Sequence, residues 1–374
     1  MKTDINAPGD RYRSLDHWRG IAAISVVLFH ASSGWMAHSD RGFLLRGIKT
    51  IAENGWFGVH LFFVISGYCI GARSAQDHIR GRAGGFFLLD RAWRIFPAYW
   101  AALLAAAAWA LLATPFNHVP LVSRPGHSGI FPSNFTRVCA EFALMAPWFK
   151  QTPWLLVSWS LTSEIFFYLL VAFGLLLART FRSPLAAILP GAGLAFVLAL
   201  NTGGLPLNFW PEFTCGFLAW LASHLRGRRN RNAILCWLAI LGLGTIGLWR
   251  GSPADTLPWA AAFAIILIVL QRYDSAVATW PALRWLGRVG AFSYSLYLVH
   301  LPIISPARNL IARVWPVSAP SFIIVVALLV LAAIAAGWIF YRCVESPVER
   351  LRKAYRHPAP VKNAPLPNIS ASSQ

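Results

Sequence analysis

Long apolar runs separated by short clusters of charge set the pattern of this chain, and each run is long enough for a helix that crosses a bilayer. Windows of roughly 17 to 24 apolar residues fall near 18–37, 56–73, 94–113, 155–178, 185–200, 207–225, 232–249, 255–271, 290–312 and 320–342. The expected fold is all-α: a polytopic integral membrane protein with about ten transmembrane helices. Between the third and fourth windows, Phe116, Pro120, Pro125, Gly126, Pro132, Pro147 and Pro153 interrupt any helix, so 114–154 is expected to form a structured outer loop. The pattern divides the chain into an N-terminal segment over 1–17, a membrane domain over 18–345 and a basic tail over 346–374. From about Pro358 that tail is rich in Pro, Ala, Asn and Ser and is expected to be disordered.

Charge adds orientation. The net charge of +19 could point to nucleic acid, but no stretch combines a basic face with interleaved aromatics or a nucleic-acid-binding motif. Lys and Arg instead alternate with the windows. With the N-terminus inside, 24 of the 33 fall on the cytoplasmic side, as the positive-inside rule requires. That asymmetry favours an even number of spans and two cytoplasmic termini. The first 18 residues are polar and no small-residue cleavage site follows the first apolar run, so the first span is expected to remain in the mature protein. Cys69, Cys139, Cys215, Cys236 and Cys343 stand singly, which gives neither a disulfide framework nor metal-ligand spacing, and no metal is expected.

Ionisable residues inside the spans are few, and each is costly in hydrocarbon. They are His30, His60, Glu164, Glu212 and His300. Arg19 and His30 are 11 residues apart, which returns to within about 20° of one helical face and separates them by roughly 16 Å along the axis. Counting inward from the window ends puts His30, Glu164 and His300 at one depth near the midplane, with His60 nearer the outer side. A His at such a site can act as general base or as nucleophile, and a carboxylate can hold its tautomer. Glu164 is the first candidate partner for His30 and His300 the second. Glu212, behind Pro211 near the outer end of its window, reads as a structural group satisfied by interfacial water or as a first-turn acid. Arg91 and Arg94 share a helical face at the cytoplasmic edge, where they can anchor the span or bind phosphate.

Six segments in order, SLDHWRGIAAISVVLFH, GWFGVHLFFVISGYCI, DRAWRIFPAYW, WSLTSEIFFYLL, FSYSLYLVHLPI and VESPVERLRK, together resemble acyltransferase family 3, membrane proteins that acylate bacterial envelope and exported polysaccharides. SLDHWRGIAAISVVLFH carries the family's Arg and His on Arg19 and His30, and GWFGVHLFFVISGYCI follows, with His60 where the family often has an acid. DRAWRIFPAYW places its arginines on Arg91 and Arg94, WSLTSEIFFYLL its acid on Glu164, FSYSLYLVHLPI its histidine on His300, and VESPVERLRK closes the series.

The resemblance implies a bacterial inner-membrane enzyme with no permanently bound cofactor. Its donor would be acyl-CoA, often acetyl-CoA, offered from the cytoplasm, and its acceptor a lipid-linked or exported saccharide. Polysaccharide-biosynthesis proteins of the envelope are the implied partners, besides the bilayer. In that scheme Arg19, Arg91 and Arg94 pair the CoA phosphates, and His30, Glu164 and His300 perform the chemistry. The rival readings are a proton-coupled transporter or flippase, which would also place His and Glu at the midplane, and a scaffold within a polysaccharide complex.

Overall fold

The computed structural model describes residues 12–33, 47, 50–82, 84–117, 135–149, 153–180, 185–200, 207–224, 231–250, 255–314 and 319–356. Among them every regular element is helical. The first helix, α1 (Leu15–Ser32), is followed by a 3-10 turn at Asn54–Trp56 that runs into α2 (Phe57–Ile79), and then by α3 (Gly84–Asn117) and the short α4 (Phe135–Phe142). The central helices are α5 (Ser158–Thr180), α6 (Leu185–Leu200), α7 (Trp210–His224), α8 (Arg231–Arg250) and α9 (Leu257–Leu270). After the short α10 (Asp274–Thr279) and α11 (Arg284–Ala291) come α12 (Ser293–Val314) and α13 (Ala319–Phe340). A π-helical turn at Tyr341–Glu345 joins α13 to α14 (Ser346–Arg356).

Five helical stretches among the described residues are long and apolar enough to cross a membrane: Thr50–His78, Ser158–Thr180, Ala233–Arg250, Leu257–Thr279 and Ser321–Ala354. A sixth results if Pro281–Ala291 and Ser293–Ile311, which meet at a bend of 72°, form one broken span. The surface confirms the solvent. Ile324, Leu328 and Leu331, one face of α13, are all exposed, whereas His60, Glu212 and His300 are buried. Apolar side chains outward and ionisable groups inward is the arrangement that lipid selects.

One expectation about the chain segments changes. The outer-loop region includes the end of α3, which runs on to Asn117, as well as α4 and a 3-10 turn at Ala146–Phe149. The remainder of that region, at 118–134 and 150–152, lies outside the described residues, as do 1–11 and the tail from 357. The basic tail begins at 346 as α14, ahead of the stretch from about Pro358 that is expected to be disordered. The helix runs on from α13 through the π-helical turn without a break, so Pro347 lies inside a continuous helical stretch, directly after that turn.

In lipid, helix association depends on close packing rather than on the removal of apolar surface from water. α2 and α7 cross with their backbones in contact: a Cβ on Gly67 would stand 2.0 Å from the Phe213 carbonyl oxygen, and one on Gly216 would stand 1.9 Å from that of Val64. The two helices run parallel through this crossing, since His60 faces Glu212 at its start and Gly71 meets Trp220 beyond it. α1 packs against α2, α11 and α12. Its C-terminus is tied down by Arg308 of α12, which donates to the carbonyl of Ser33 at 2.7 Å and to that of His30 at 3.4 Å.

Candidate active site

Two cavities lie end to end in the helical core. The larger, of about 380 Å³, is lined by His30 of α1, His60 of α2, Thr256, and the aromatic rings of Trp56, Trp159 and Phe209. The smaller, of about 80 Å³, is lined by Arg19 of α1, Ser66 of α2, Arg94 of α3 and Glu164 of α5. Val59 and Tyr297 border both cavities and form the partition between them. Tyr297 is held in that position, its hydroxyl donating to the Val157 carbonyl at 3.1 Å and lying 2.8 Å from Ser160 Oγ. The shared face of α1 thus opens on one cavity at Arg19 and on the other at His30.

His300 is fully buried and packs beside His30 without lining the cavity, the two rings standing 5.2 Å apart between centroids, inclined by 39°. His300 Nδ1 is 2.7 Å from the Tyr297 carbonyl oxygen. A carbonyl can only accept, so Nδ1 carries the proton and Nε2 is left with a lone pair. That Nε2 is buried and has no hydrogen-bond partner among the described residues.

The opposite wall holds a second histidine pair of another kind. His60 Nδ1 is 2.8 Å from Glu212 Oε2 and 3.0 Å from Oε1, and the Thr256 hydroxyl donates to Oε1 as well. His60 is 4% exposed and Glu212 3%. The parallel crossing of α2 and α7 makes the contact: His60 lies two turns before Gly67, and Glu212 about one turn before Gly216. Glu212 does lie in the first turn of α7, but it is buried against His60 and Thr256 rather than satisfied by interfacial water. The two residues are 152 positions apart, and their only common signal in the sequence is a similar depth near the outer ends of their windows.

Glu164 stands in the smaller cavity and not beside His30. It accepts from the Tyr168 hydroxyl and, at 3.2 Å, from Ser66 Oγ. The two arginines of α3 separate in the same way. Arg94 is exposed to the smaller cavity, facing Glu164 and Glu345, and forms no ion pair among the described residues. Arg91 turns aside, 3.3 Å from the buried Asp90 carboxylate and over the ring faces of Phe87 and Tyr168. Asp90 is also approached by Arg352 of α14 at 3.8 Å and by Arg73 at 3.9 Å, so Arg91 belongs to a charge network joining α2, α3 and α14. Arg19 reaches Asp16 and Cys69 Sγ, both at 3.1 Å, at the far end of the cavity. No cluster with metal-ligand character occurs among the described residues.

On the wall of the outer-loop region, Glu141 of α4 is 2% exposed. One of its oxygens accepts the Trp154 backbone N–H at 2.7 Å, and burial pushes its carboxyl above the usual glutamate range against the opposing pull of that bond.

The acyltransferase domain family matches residues 12–342. Among curated relatives, BcsY of Komagataeibacter xylinus, provisionally named a membrane-bound transacylase, is 27% identical over 334 residues, covering 81% of this chain and 76% of its own length. ExoZ of Rhizobium meliloti, an exopolysaccharide production protein, is 28% identical, covering 67% of this chain and 77% of its own length. The peptidoglycan O-acetyltransferase OatA of Listeria monocytogenes is 23% identical across 90% of this chain, which spans 56% of OatA. No solved structure matches the chain.

Proposed function

This chain belongs to the acyltransferase family, and from that premise we propose that it moves an acyl group, acetyl in the simplest case, from coenzyme A to a hydroxyl of an exported or lipid-linked saccharide. The observation that carries the reading is the pair of cavities meeting at Val59 and Tyr297, one walled by Arg19 and Arg94 and the other by His30 and His60, with His300 packed against His30. A donor with an anionic head and a long neutral arm fits that sequence of surroundings. Arg19 and Arg94 pair its phosphates, and the arm passes the partition to bring its thioester to His30. The positive-inside distribution supports a topology with the Arg19 end at the cytoplasm of an inner membrane, where acyl-CoA is made, both chain termini on that side and about ten spans in all. The names of ExoZ and OatA support a saccharide acceptor, and polysaccharide-biosynthesis proteins of the envelope would be its neighbours.

The chemistry runs through His30. Its imidazole attacks the thioester carbonyl, so that an N–C bond forms, the C–S bond breaks and CoA leaves as thiolate. The proton still on the imidazolium passes to the buried Nε2 of His300, which has a lone pair to receive it. A hydroxyl then attacks the acyl-imidazole, the N–C bond breaks and His300 returns the proton. Glu164 lies too far into the smaller cavity to orient His30, and its bonds to Tyr168 and Ser66 suit a role in shaping the donor channel beside Arg94.

The purified protein in lipid vesicles, given acetyl-CoA, tests this reading. CoA release and acyl transfer that depend on His30 support it. A wild-type protein that leaves the thioester intact while moving a glycan across the vesicle would support a transporter instead.

A further inference from the structure

The reading above, on which this inference rests, leaves open what removes the proton from the acceptor hydroxyl. A saccharide hydroxyl is a poor nucleophile at neutral pH, and general base assistance contributes about 10²- to 10⁴-fold to such a step. His300 is committed to His30, with its Nδ1 donating into its own helix. The larger cavity holds another histidine.

We propose that His60, oriented by Glu212 and Thr256, is the general base that activates the acceptor hydroxyl, and that the aromatic end of the larger cavity is the acceptor site. Glu212 lies against Nδ1 at 2.8 Å and accepts from the Thr256 hydroxyl on its other side. A carboxylate in that position holds the proton on Nδ1 and leaves the lone pair on Nε2, and it stabilises the imidazolium formed when Nε2 takes a proton. A buried His–Glu pair that served packing alone would satisfy each other's atoms and face no cavity. This one borders a space of about 380 Å³, large enough for a sugar ring and its ester.

The surroundings indicate what enters. Trp56 meets the His60 ring edge-on at 5.3 Å, Phe209 lies 5.7 Å from it, and Trp159 packs on Phe209 at 5.3 Å. Aromatic faces offer flat, apolar surface to the C–H face of a pyranose while leaving its hydroxyls free to meet polar groups. His30 lines the same cavity from α1. An acyl carbon on His30 and a hydroxyl on His60 therefore share one space, with the donor's anionic end beyond the partition.

The step balances. The hydroxyl proton moves to His60 Nε2 as the oxygen bonds to the acyl carbon and the bond to His30 breaks. The proton on His60 and the negative charge of the departed CoA thiolate then neutralise one another through solvent. His60 is a catalytic residue in this scheme, and Glu212 and Thr256 are positioning residues.

Hydroxylamine separates the base from the rest of the site, because its nitrogen attacks an acyl group without losing a proton first. Membranes carrying the wild type, His60→Asn, Glu212→Gln or His30→Ala are supplied with acyl-labelled acetyl-CoA, with and without hydroxylamine, and label is followed into endogenous saccharide and into acetyl hydroxamate. His60→Asn is expected to lose at least about 100-fold in saccharide labelling while keeping hydroxamate formation within a few-fold of wild type. Glu212→Gln retains an acceptor for Nδ1 without the charge and should show the same split with a smaller loss. His30→Ala should lose both products. Equal loss of both products in His60→Asn and Glu212→Gln, or loss of neither, overturns the proposal. A wild type that labels neither product overturns the acyl-CoA reading itself.

Discussion

His300 Nε2 stands buried beside His30 with no hydrogen-bond partner among the described residues, the two rings 5.2 Å apart and the other nitrogen of His300 bound to the Tyr297 carbonyl at 2.7 Å. The backbone has thereby chosen the tautomer, and the lone pair it leaves is a buried proton acceptor.

Replacing His300 by Phe keeps the volume of the ring and removes that acceptor. Acyl transfer should fall about 10²- to 10⁴-fold with little change in KM for acyl-CoA, because the proposed arrangement puts the donor's charged end in the other cavity. Steady-state kinetics in vesicles checks this. A KM effect with kcat preserved would move His300 from chemistry to binding.

Arg94 and Arg91 should behave differently although they stand three residues apart. Arg94→Ala removes a guanidinium that faces the smaller cavity without an ion pair among the described residues. The expected result is a KM for acyl-CoA raised roughly 10- to 100-fold, the worth of a charged hydrogen bond, with thermal stability unchanged. Arg91→Ala takes a partner from the buried Asp90 and should lower stability by about 1–3 kcal/mol while KM in the surviving folded protein stays near wild type. Thermal unfolding in detergent and acyl-CoA titration of both variants distinguish the two roles.

Gly67→Ala tests the crossing that builds the His60–Glu212 contact. The added Cβ would meet backbone at 2.0 Å, which no rotamer change relieves, so α2 and α7 must move apart at a cost of about 1–3 kcal/mol. Saccharide acylation should fall with stability, and a further substitution at Glu212 should cost little more. A fully active, stable Gly67→Ala protein would show that the helices tolerate separation.

Glu141 gives a pH dependence outside the spans. Its carboxyl is raised by burial, so the folded state holds this proton more tightly than the unfolded state does. Its contribution to stability is full below the ordinary glutamate value and is lost as pH rises through the raised one. Glu141→Gln keeps an acceptor for the Trp154 N–H and removes the charge. The variant should be as stable as wild type or more stable at neutral pH, and the gap should close as pH falls toward 4. Unfolding midpoints across that range measure it, and a gap that widens on acidification contradicts the account.

The sequence made the helices legible because hydrocarbon punishes every exception. Window 185–200 coincides with α6, and the face joining Arg19 to His30 follows from helical geometry alone. Side-chain partners were less legible, because depth is a local property and azimuth is not. Glu164 and His30 share a depth, yet α5 turns its acid toward Tyr168 and Ser66. His60 and Glu212 meet only because glycines at two distant positions let α2 and α7 touch. Arg91 and Arg94 share a helical edge in sequence, but the carboxylate that captures Arg91 is its immediate neighbour, Asp90, steadied by Arg352 from the far end of the chain.

The most direct test of the central claim compares the surface glycans of the host by mass spectrometry in three strains: with this chain, without it, and with His30→Ala at equal membrane abundance. The account predicts a discrete acyl mass on a saccharide in the first strain that is missing from the other two. An unchanged acyl mass in the His30→Ala strain would contradict it.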